Sequence, residues 1–172
     1  MTEEILEHSE HTRKALITKN MGFNQMRNGI YWLQRIMKRF DIADEDIHTR
    51  MKEMGSNIGA TFAMNYTPNS EDLSELIKEL YKTTLNSKIS VNQIDNRFYV
   101  EDRKCALCKY KYDDVDVPGC NITVAMIHEM LARFGYEIIS SEVNESRALG
   151  NKSCIHEFQV NSNFNSEEVS HG

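Results

Sequence analysis

Four cysteines are the residues of this 172-residue chain whose type and spacing could do chemistry. Cys105 and Cys108 form a C-x2-C pair, Cys120 follows after eleven further residues, and Cys154 follows after thirty-three more. Four thiolates, two of them at the spacing of a zinc knuckle, suit tetrahedral zinc. Four thiolates also close the coordination shell and leave no bound water to activate. The sequence therefore predicts a structural zinc site with these four ligands.

Other interpretations of the same cysteines stay open. Redox-active thiols are one, because Cys120 lies at the start of a predicted helix, where the pKa of a thiol is lowered. Buried cysteines without a metal are another, and four thiolates would also hold an iron–sulfur cluster. Reserve ligands are close by. His156 shares a predicted strand face with Cys154, and Glu142 and Glu145 lie at the end of the preceding strand.

Motifs of catalysis are not found in the sequence. It contains no glycine-rich phosphate-binding loop, no G-x-S-x-G and no H-E-x-x-H. The six histidines are scattered, and His128 beside Glu129 is expected to be an exposed helical residue. We therefore predict no catalytic residues and no organic cofactor, which favours a binding protein over an enzyme.

The composition is that of one folded domain, with 40% hydrophobic and 27% charged residues. The net charge of −6 disfavours nucleic-acid binding, because phosphates require a basic surface. The N-terminus is acidic and polar, unlike a signal peptide, and no run of eighteen apolar residues occurs. We therefore expect a cytoplasmic protein without a membrane span, whose thiols stay reduced.

Apolar periodicity predicts the elements that must position the cysteines. Residues 23–40 and 44–65 carry apolar side chains at the spacing of amphipathic helices. A third helix is predicted after Ser70 as N-cap, and a fourth after Asn121 as N-cap, with Gly135 ending it.

Alternating patterns predict four strands. Two surround Ile89 to Val91 and Phe98 to Val100, with a turn at Asp95, and two cover residues 136–143 and 153–160. This order predicts an α+β fold with helices packed on one side of a mostly antiparallel sheet. Residues 1–160 are predicted to form a single domain, with 1–20 a peripheral N-terminal helix or arm and 161–172 a disordered tail.

A resemblance to one superfamily follows from two stretches. DEDIHTRMKEMGSNIGATF, residues 44–62, is similar to the TRAPP small subunits, in which a helix ends in a Met-Gly-x-Asn-Ile-Gly phrase. PGCNITVAMIHEMLARFGYEIISSEVNESRALGNKSC, residues 118–154, resembles the 4-vinyl reductase (hydrocarbon-binding) domain. This second resemblance implies Cys120, Cys154 and Glu142 as metal ligands. It places the family's third cysteine at Glu145 or Ser146, so Cys105 and Cys108 are expected to compensate.

The resemblance also implies partners and ligands. A homodimer, or assembly with related subunits, is expected, as is a pocket for a small hydrophobic ligand. Trp32, Phe40, Phe62 and Phe98 are the candidate pocket residues, although each could equally belong to the core or to a dimer face. In the TRAPP branch an acyl chain is attached to a cysteine, but no cysteine precedes residue 105 here.

Three functions are therefore predicted, in order of preference. The first is a dimeric, non-enzymatic zinc domain that senses or carries a small hydrophobic ligand. The alternative is a TRAPP-like scaffold subunit for protein–protein assembly in membrane tethering. A reductase-type enzyme comes last, because the sequence has no nicotinamide or flavin fingerprint.

Overall fold

The protein is described by a computed structural model that covers residues 21–161. The predicted N-terminal arm (1–20) and all but the first residue of the predicted tail (161–172) lie outside these described residues. The elements, in chain order, are α1 (Met21–Arg39), α2 (Asp44–Ala63), α3 (Leu73–Leu85), β1 (Ser90–Ile94), β2 (Arg97–Asp102), α4 (Cys120–Arg133), β3 (Ile138–Glu145), a 3-10 turn (Arg147–Leu149) and β4 (Cys154–Val160).

The strands form one four-stranded sheet in the order β1-β2-β4-β3. Every neighbouring pair is antiparallel, and Val100 of β2 is paired with His156 of β4. Phe98 and Val100 of β2 are buried, while Arg97, the first residue of the same strand, is exposed, as expected for a sheet covered by helices on one face. The predicted α+β fold is confirmed.

Helix ends differ from the prediction at two points. Asp72, not Ser70, caps α3, because its carboxylate accepts the Glu75 N–H at 2.9 Å. The helix α4 begins at Cys120, so Asn121 lies inside it and its side chain donates to the Pro118 carbonyl at 2.9 Å. Gly135 ends α4 with a φ of +96°, as predicted, since this conformation favours glycine.

Two glycines allow α2 and α4 to pack unusually closely. A Cβ atom at Gly55 would lie 2.3 Å from the Ile122 carbonyl oxygen, and one at Gly59 would lie 2.3 Å from that of Met126. Any side chain at either position would therefore collide with the backbone of α4. This contact explains the Gly-x-x-x-Gly spacing of residues 55–59.

The buried side chains divide into two groups. The first, here called the sheet-side core, joins α3, α4 and the sheet. The second, the cysteine-side core, joins the first two helices to the cysteine loop, residues 103–119. Its members include all four cysteines with Ile30, Tyr31, Ile47, Met51, Leu107, Val115, Val117, Ile122 and Ala148. The four thiols thus lie in a part of the core that is separate from the interior beneath the sheet.

Candidate metal centre

The structure brings the four cysteines together. Their sulfur atoms all lie within 4.8 Å of one another, and all four side chains are buried. No disulfide joins them. Zinc–sulfur bonds of about 2.3 Å in a tetrahedron place sulfur atoms about 3.8 Å apart, so the cluster is of the size that a metal ion requires. These four cysteines could therefore hold a metal.

Three separate parts of the chain supply the thiols. Cys105 and Cys108 lie in the cysteine loop, which leaves the sheet at the end of β2. Cys120 is the first residue of α4, and Cys154 is the first residue of β4. A metal at this point would tie the loop to a helix and to a central strand of the sheet.

Backbone amides point at the sulfur atoms. The Cys120 N–H donates to Cys108 Sγ at 3.3 Å, and the Arg147 N–H donates to Cys154 Sγ at 3.4 Å. A hydrogen bond to a sulfur stabilises the thiolate more than the neutral thiol. The surroundings are therefore suited to the deprotonated form that binds metals.

Proximity gives the thiols opposite pKa shifts. Hydrogen bonding, first with Cys105 and then with Cys108 and Cys120, lowers the pKa of Cys154 far below its usual value. Burial, followed by hydrogen bonding with Cys105, raises the pKa of Cys120. The thiols therefore share protons, with negative charge favoured at Cys154, and a cation at the centre would replace the remaining protons.

The reserve ligands do not belong to the group of four sulfur atoms, although a hydrogen bond with His156 helps to lower the pKa of Cys154. His156 is fully buried, but its Nδ1 is 2.6 Å from the Tyr81 hydroxyl. Burial raises the pKa of Tyr81, so its hydroxyl stays neutral and shares a hydrogen bond with this nitrogen. Glu142 and Glu145 are exposed. Among the described residues, the four cysteines alone make up the metal-sized group.

Ser146 is one of the two positions, with Glu145, at which the family resemblance placed a third cysteine. Its hydroxyl is 3.7 Å from Cys120 Sγ and 3.8 Å from Cys154 Sγ, and the residue is buried. The same oxygen accepts the Ala148 N–H and caps the 3-10 turn. Of these two positions, Ser146 is the one whose side chain borders the cluster.

The helix α1 contacts the cysteine loop through polar side chains, which the sequence analysis did not foresee. Tyr31 donates to the Leu107 carbonyl at 3.1 Å, accepts the Gly119 N–H at 3.2 Å and lies 3.8 Å from Cys108 Sγ. Gln34 donates to the Val117 carbonyl at 3.0 Å. Tyr31 and Gln34 are three residues apart and therefore lie on one helix face, a spacing that could have indicated a polar contact. An analysis of hydrophobic periodicity does not detect it.

Charged side chains extend this contact from the buried Arg27 to the surface. Arg27 donates to the Ala106 carbonyl at 2.9 Å. Arg35 pairs with Asp114 at 2.5 Å, and Lys38 pairs with Asp116 at 2.5 Å. The pKa of Asp114 is lowered, chiefly by its hydrogen bond with Arg35. The side of α1 that faces the protein is therefore largely polar.

The opposite side of α1 is apolar and faces solvent. It consists of Met26, Trp32, Leu33 and Ile36, together with Phe40 directly after the helix, and is here called the apolar face. Phe40 is 76% exposed and Trp32 is 54% exposed. Large apolar side chains gathered on one exposed surface mark interaction sites.

The predicted pocket residues are not gathered around one space. Trp32 and Phe40 lie on the apolar face, Phe62 is exposed near the end of α2, and Phe98 belongs to the sheet-side core. None of the four lines the cavity that lies between α2 and β3, so the hydrophobic pocket stays a prediction.

That cavity lies between the start of α2 and the end of β3 and has a volume of about 460 Å³. Charged and polar residues contribute about half of its lining, with Asp44, Glu45, His48, Asn121, Glu142 and Glu145 among them. His48 Nε2 is 2.9 Å from Asn121 Oδ1. This is not the chemistry that an aromatic or hydrocarbon ligand requires.

Comparison with solved structures relates this architecture to a known one. Trafficking protein particle complex subunit 3 from Naegleria fowleri, covalently bound to palmitic acid, superimposes with a TM-score of 0.64. The match covers 83% of this chain and 97% of that chain at 13% sequence identity. The fold is TRAPP-like. At this identity the likeness concerns the fold alone.

A second similar structure is an H-NOX protein from S. oneidensis, at 12% identity and a TM-score of 0.48, covering 80% of this chain and 73% of that one. Neither structure is a 4-vinyl reductase domain, so that part of the resemblance stays a prediction. No protein-family model and no curated protein matches the chain. Within residues 21–161, no helix is both long and apolar enough to cross a bilayer.

Proposed function

We propose that this TRAPP-like chain is a non-catalytic assembly subunit. Its domain is stabilised by a metal ion on Cys105, Cys108, Cys120 and Cys154, and it pairs with a second copy through the apolar face of α1. The observation that carries the proposal is the orientation of this helix. Its polar side is bound to the protein, and its apolar side is left to solvent.

The size of the apolar face supports pairing. Its exposed side-chain surface is roughly 500 Å² if each large side chain counts about 200 Å². This is at the upper end of the apolar patches found on monomers. Together with the polar rim of the helix it approaches the roughly 800 Å² per partner of a stable interface. A patch of this size is better explained by a partner than by chance.

A second copy is the occupant that the chemistry of the face fits. All five of its side chains are uncharged, so two faces related by a two-fold axis would meet without burying a charge. Gly29 lies on the same side, and a Cβ atom there would have nothing within 4 Å. Because Gly29 has no side chain, a second helix could approach the backbone closely at this position.

The comparisons add one further support for assembly. The similar structure from Naegleria fowleri is by its name a subunit of a complex. That protein carries palmitic acid covalently, whereas the ligand of this chain, if it binds one, is a separate prediction that rests on the sequence resemblance alone. Assembly is therefore preferred over small-molecule binding.

The pairing proposal is tested by measuring molar mass with sedimentation velocity over a range of protein concentrations. We expect a dimer for the unchanged chain and a monomer for Ile36→Asp. Ile94→Asp is the matched control, since Ile94 is equally apolar and exposed but lies at the end of β1. A monomeric unchanged chain, or a dimer that persists in Ile36→Asp, would contradict this proposal.

The metal proposal has its own measurement. Native mass spectrometry and elemental analysis of protein purified under reducing conditions should give one zinc ion per chain. Cys108→Ser should lower that content at least tenfold, because three thiolates bind less tightly and leave an open position. Iron with inorganic sulfide would instead indicate an iron–sulfur cluster, and no metal at all would leave four buried thiols.

A further inference from the structure

We infer that occupancy of the four-cysteine site controls whether α1 is held in place, and hence whether two copies pair. This inference rests on the proposed function and adds its regulation. A chain without metal would keep its sheet but lose the surface that a partner recognises.

The first support is where α1 is bound. Tyr31, Gln34 and Arg27 bond to carbonyl groups of the cysteine loop, at Leu107, Val117 and Ala106. The ion pairs of Arg35 and Lys38 reach Asp114 and Asp116 of the same loop, and Lys38 also reaches Asp44 at the start of α2 at 3.3 Å. The position of α1 therefore depends chiefly on the shape of this loop.

The second support is how little regular structure the loop has. Residues 103–119 contain neither helix nor strand. Two of the loop's backbone N–H groups bond to carbonyls, Cys108 to Cys105 at 3.3 Å and Tyr112 to Ala148 at 3.4 Å. A segment without regular structure that carries two of four clustered thiols takes its order from ligation, because binding free energy becomes folding free energy.

A third support is the direct contact of Tyr31 with the cluster. Its hydroxyl contacts Cys108 Sγ and accepts a hydrogen bond from the N–H of Gly119, which is the residue before Cys120. Loss of ligation would release Cys108 and the loop carbonyl that Tyr31 binds. The same side chain thus senses the metal ligands and anchors the helix.

The two-part core makes the effect local. Ile30 and Tyr31 bring α1 into the cysteine-side core, whereas the sheet-side core contains no residue of α1. Removal of the metal should therefore loosen α1 and the loop without unfolding α3 or the sheet. Pairing would be lost because the apolar face no longer has a fixed support.

Amide hydrogen exchange in the monomeric Ile36→Asp variant tests the coupling apart from pairing. The variant is loaded with zinc, or stripped with a strong chelator in the presence of a thiol reductant. Stripping should speed exchange in residues 27–39 at least tenfold, with less than a twofold change in residues 124–131 of α4. Trp32, the single tryptophan of the chain, should show a matching fall in fluorescence anisotropy. Equal exchange rates in the zinc-loaded and stripped forms would overturn the inference.

Sedimentation of the unchanged chain then tests the consequence. We expect the zinc-loaded form to be dimeric, the stripped form monomeric, and re-addition of zinc to restore the dimer. Tyr31→Phe should keep one zinc per chain and yet weaken pairing about tenfold, with faster exchange in α1. A stripped chain that still dimerises would overturn the inference and leave the pairing proposal standing. A zinc-loaded chain that is monomeric would refute pairing, while the exchange experiment would still decide the coupling.

Discussion

Gly59 of α2 lies directly against the carbonyl of Met126 in α4. A Cβ atom at this glycine would be 2.3 Å from that oxygen, and Gly55 makes the equivalent approach to Ile122 one turn earlier. The two helices thus meet backbone to backbone along one side of the domain. Because the obstacle is main chain and not a flexible side chain, a larger residue cannot be accommodated by a rotamer change.

Gly59→Ala is therefore expected to destabilise the fold although alanine favours helices. Overpacking at such a contact costs about 1–3 kcal/mol, which exceeds the roughly 1 kcal/mol gained in helix propensity. Urea denaturation followed by circular dichroism measures the difference. Gly22→Ala, where a Cβ atom would have nothing within 4 Å, should leave stability unchanged or slightly higher. Equal midpoints for the two variants would refute the close contact.

Loss of the Tyr81 hydroxyl should also be costly. In Tyr81→Phe, Nδ1 of the fully buried His156 would lose the hydrogen-bond partner that it has at 2.6 Å. An unsatisfied buried polar atom costs about 1–3 kcal/mol. Tyr110→Phe is the control, since this ring is 48% exposed and its contacts with Arg27 and Lys109 are made by the ring face. A Tyr81→Phe variant as stable as this control would contradict the hydrogen bond.

Stability should fall as the pH drops through the titration range of His128. Contrary to the exposed side chain expected from the sequence, His128 is half-buried, with Nδ1 2.8 Å from Ser141 Oγ. Burial lowers its pKa, while Glu129 raises it and Lys52 lowers it further. A histidine with a lowered pKa in the fold contributes stability that is present above its unfolded value of about 6.5 and is lost below it.

Urea midpoints at pH 7.5 and pH 5.5 measure this effect. The unchanged chain should lose more stability between the two pH values than His128→Gln, which cannot be protonated. The difference between the two chains is the relevant quantity, because other groups titrate in both. An identical loss in both chains would show that His128 does not resist protonation in the fold.

Ser146→Cys should partly replace a lost metal ligand. The Ser146 oxygen is 3.7 Å from Cys120 Sγ and 3.8 Å from Cys154 Sγ, about the sulfur separation of a zinc tetrahedron. We expect Cys105→Ser to lose most of its zinc and the double variant with Ser146→Cys to regain at least half. Ser153→Cys in the same background is the control, because this position has the same residue type and burial but no described contact with a sulfur. Equal zinc contents in both double variants would argue against the proximity of Ser146.

Much of the fold could be predicted because it depends on local patterns. The change of apolar period from 3.6 to 2 located the helices and strands, and Gly135 and the turn at Asp95 marked ends that backbone conformation requires. The cysteine spacing likewise predicted one site formed by Cys105, Cys108, Cys120 and Cys154, and the structure places their sulfur atoms within 4.8 Å of one another.

The orientation of α1 could not be predicted in the same way. Its apolar periodicity indicates an amphipathic helix but does not say what covers the apolar side. Tyr31 and Gln34 direct the polar side of the helix toward the protein, because they bind carbonyls of a loop more than seventy residues later in the chain. The apolar side therefore faces solvent. Such long-range bonds depend on tertiary structure, so Trp32 and Phe40, expected in a pocket, lie on the surface.

The distribution of the thiols along the chain has a consequence for biosynthesis. Cys105, Cys108 and Cys120 are translated well before Cys154, which opens the last strand of the sheet. While the ribosome is still producing β3, only three sulfur ligands exist, and the nascent polypeptide cannot close a tetrahedral shell. If a metal binds there, a complete set of ligands would require that translation has reached the start of β4, and a product truncated before that point would be left with an incomplete site for quality control to recognise.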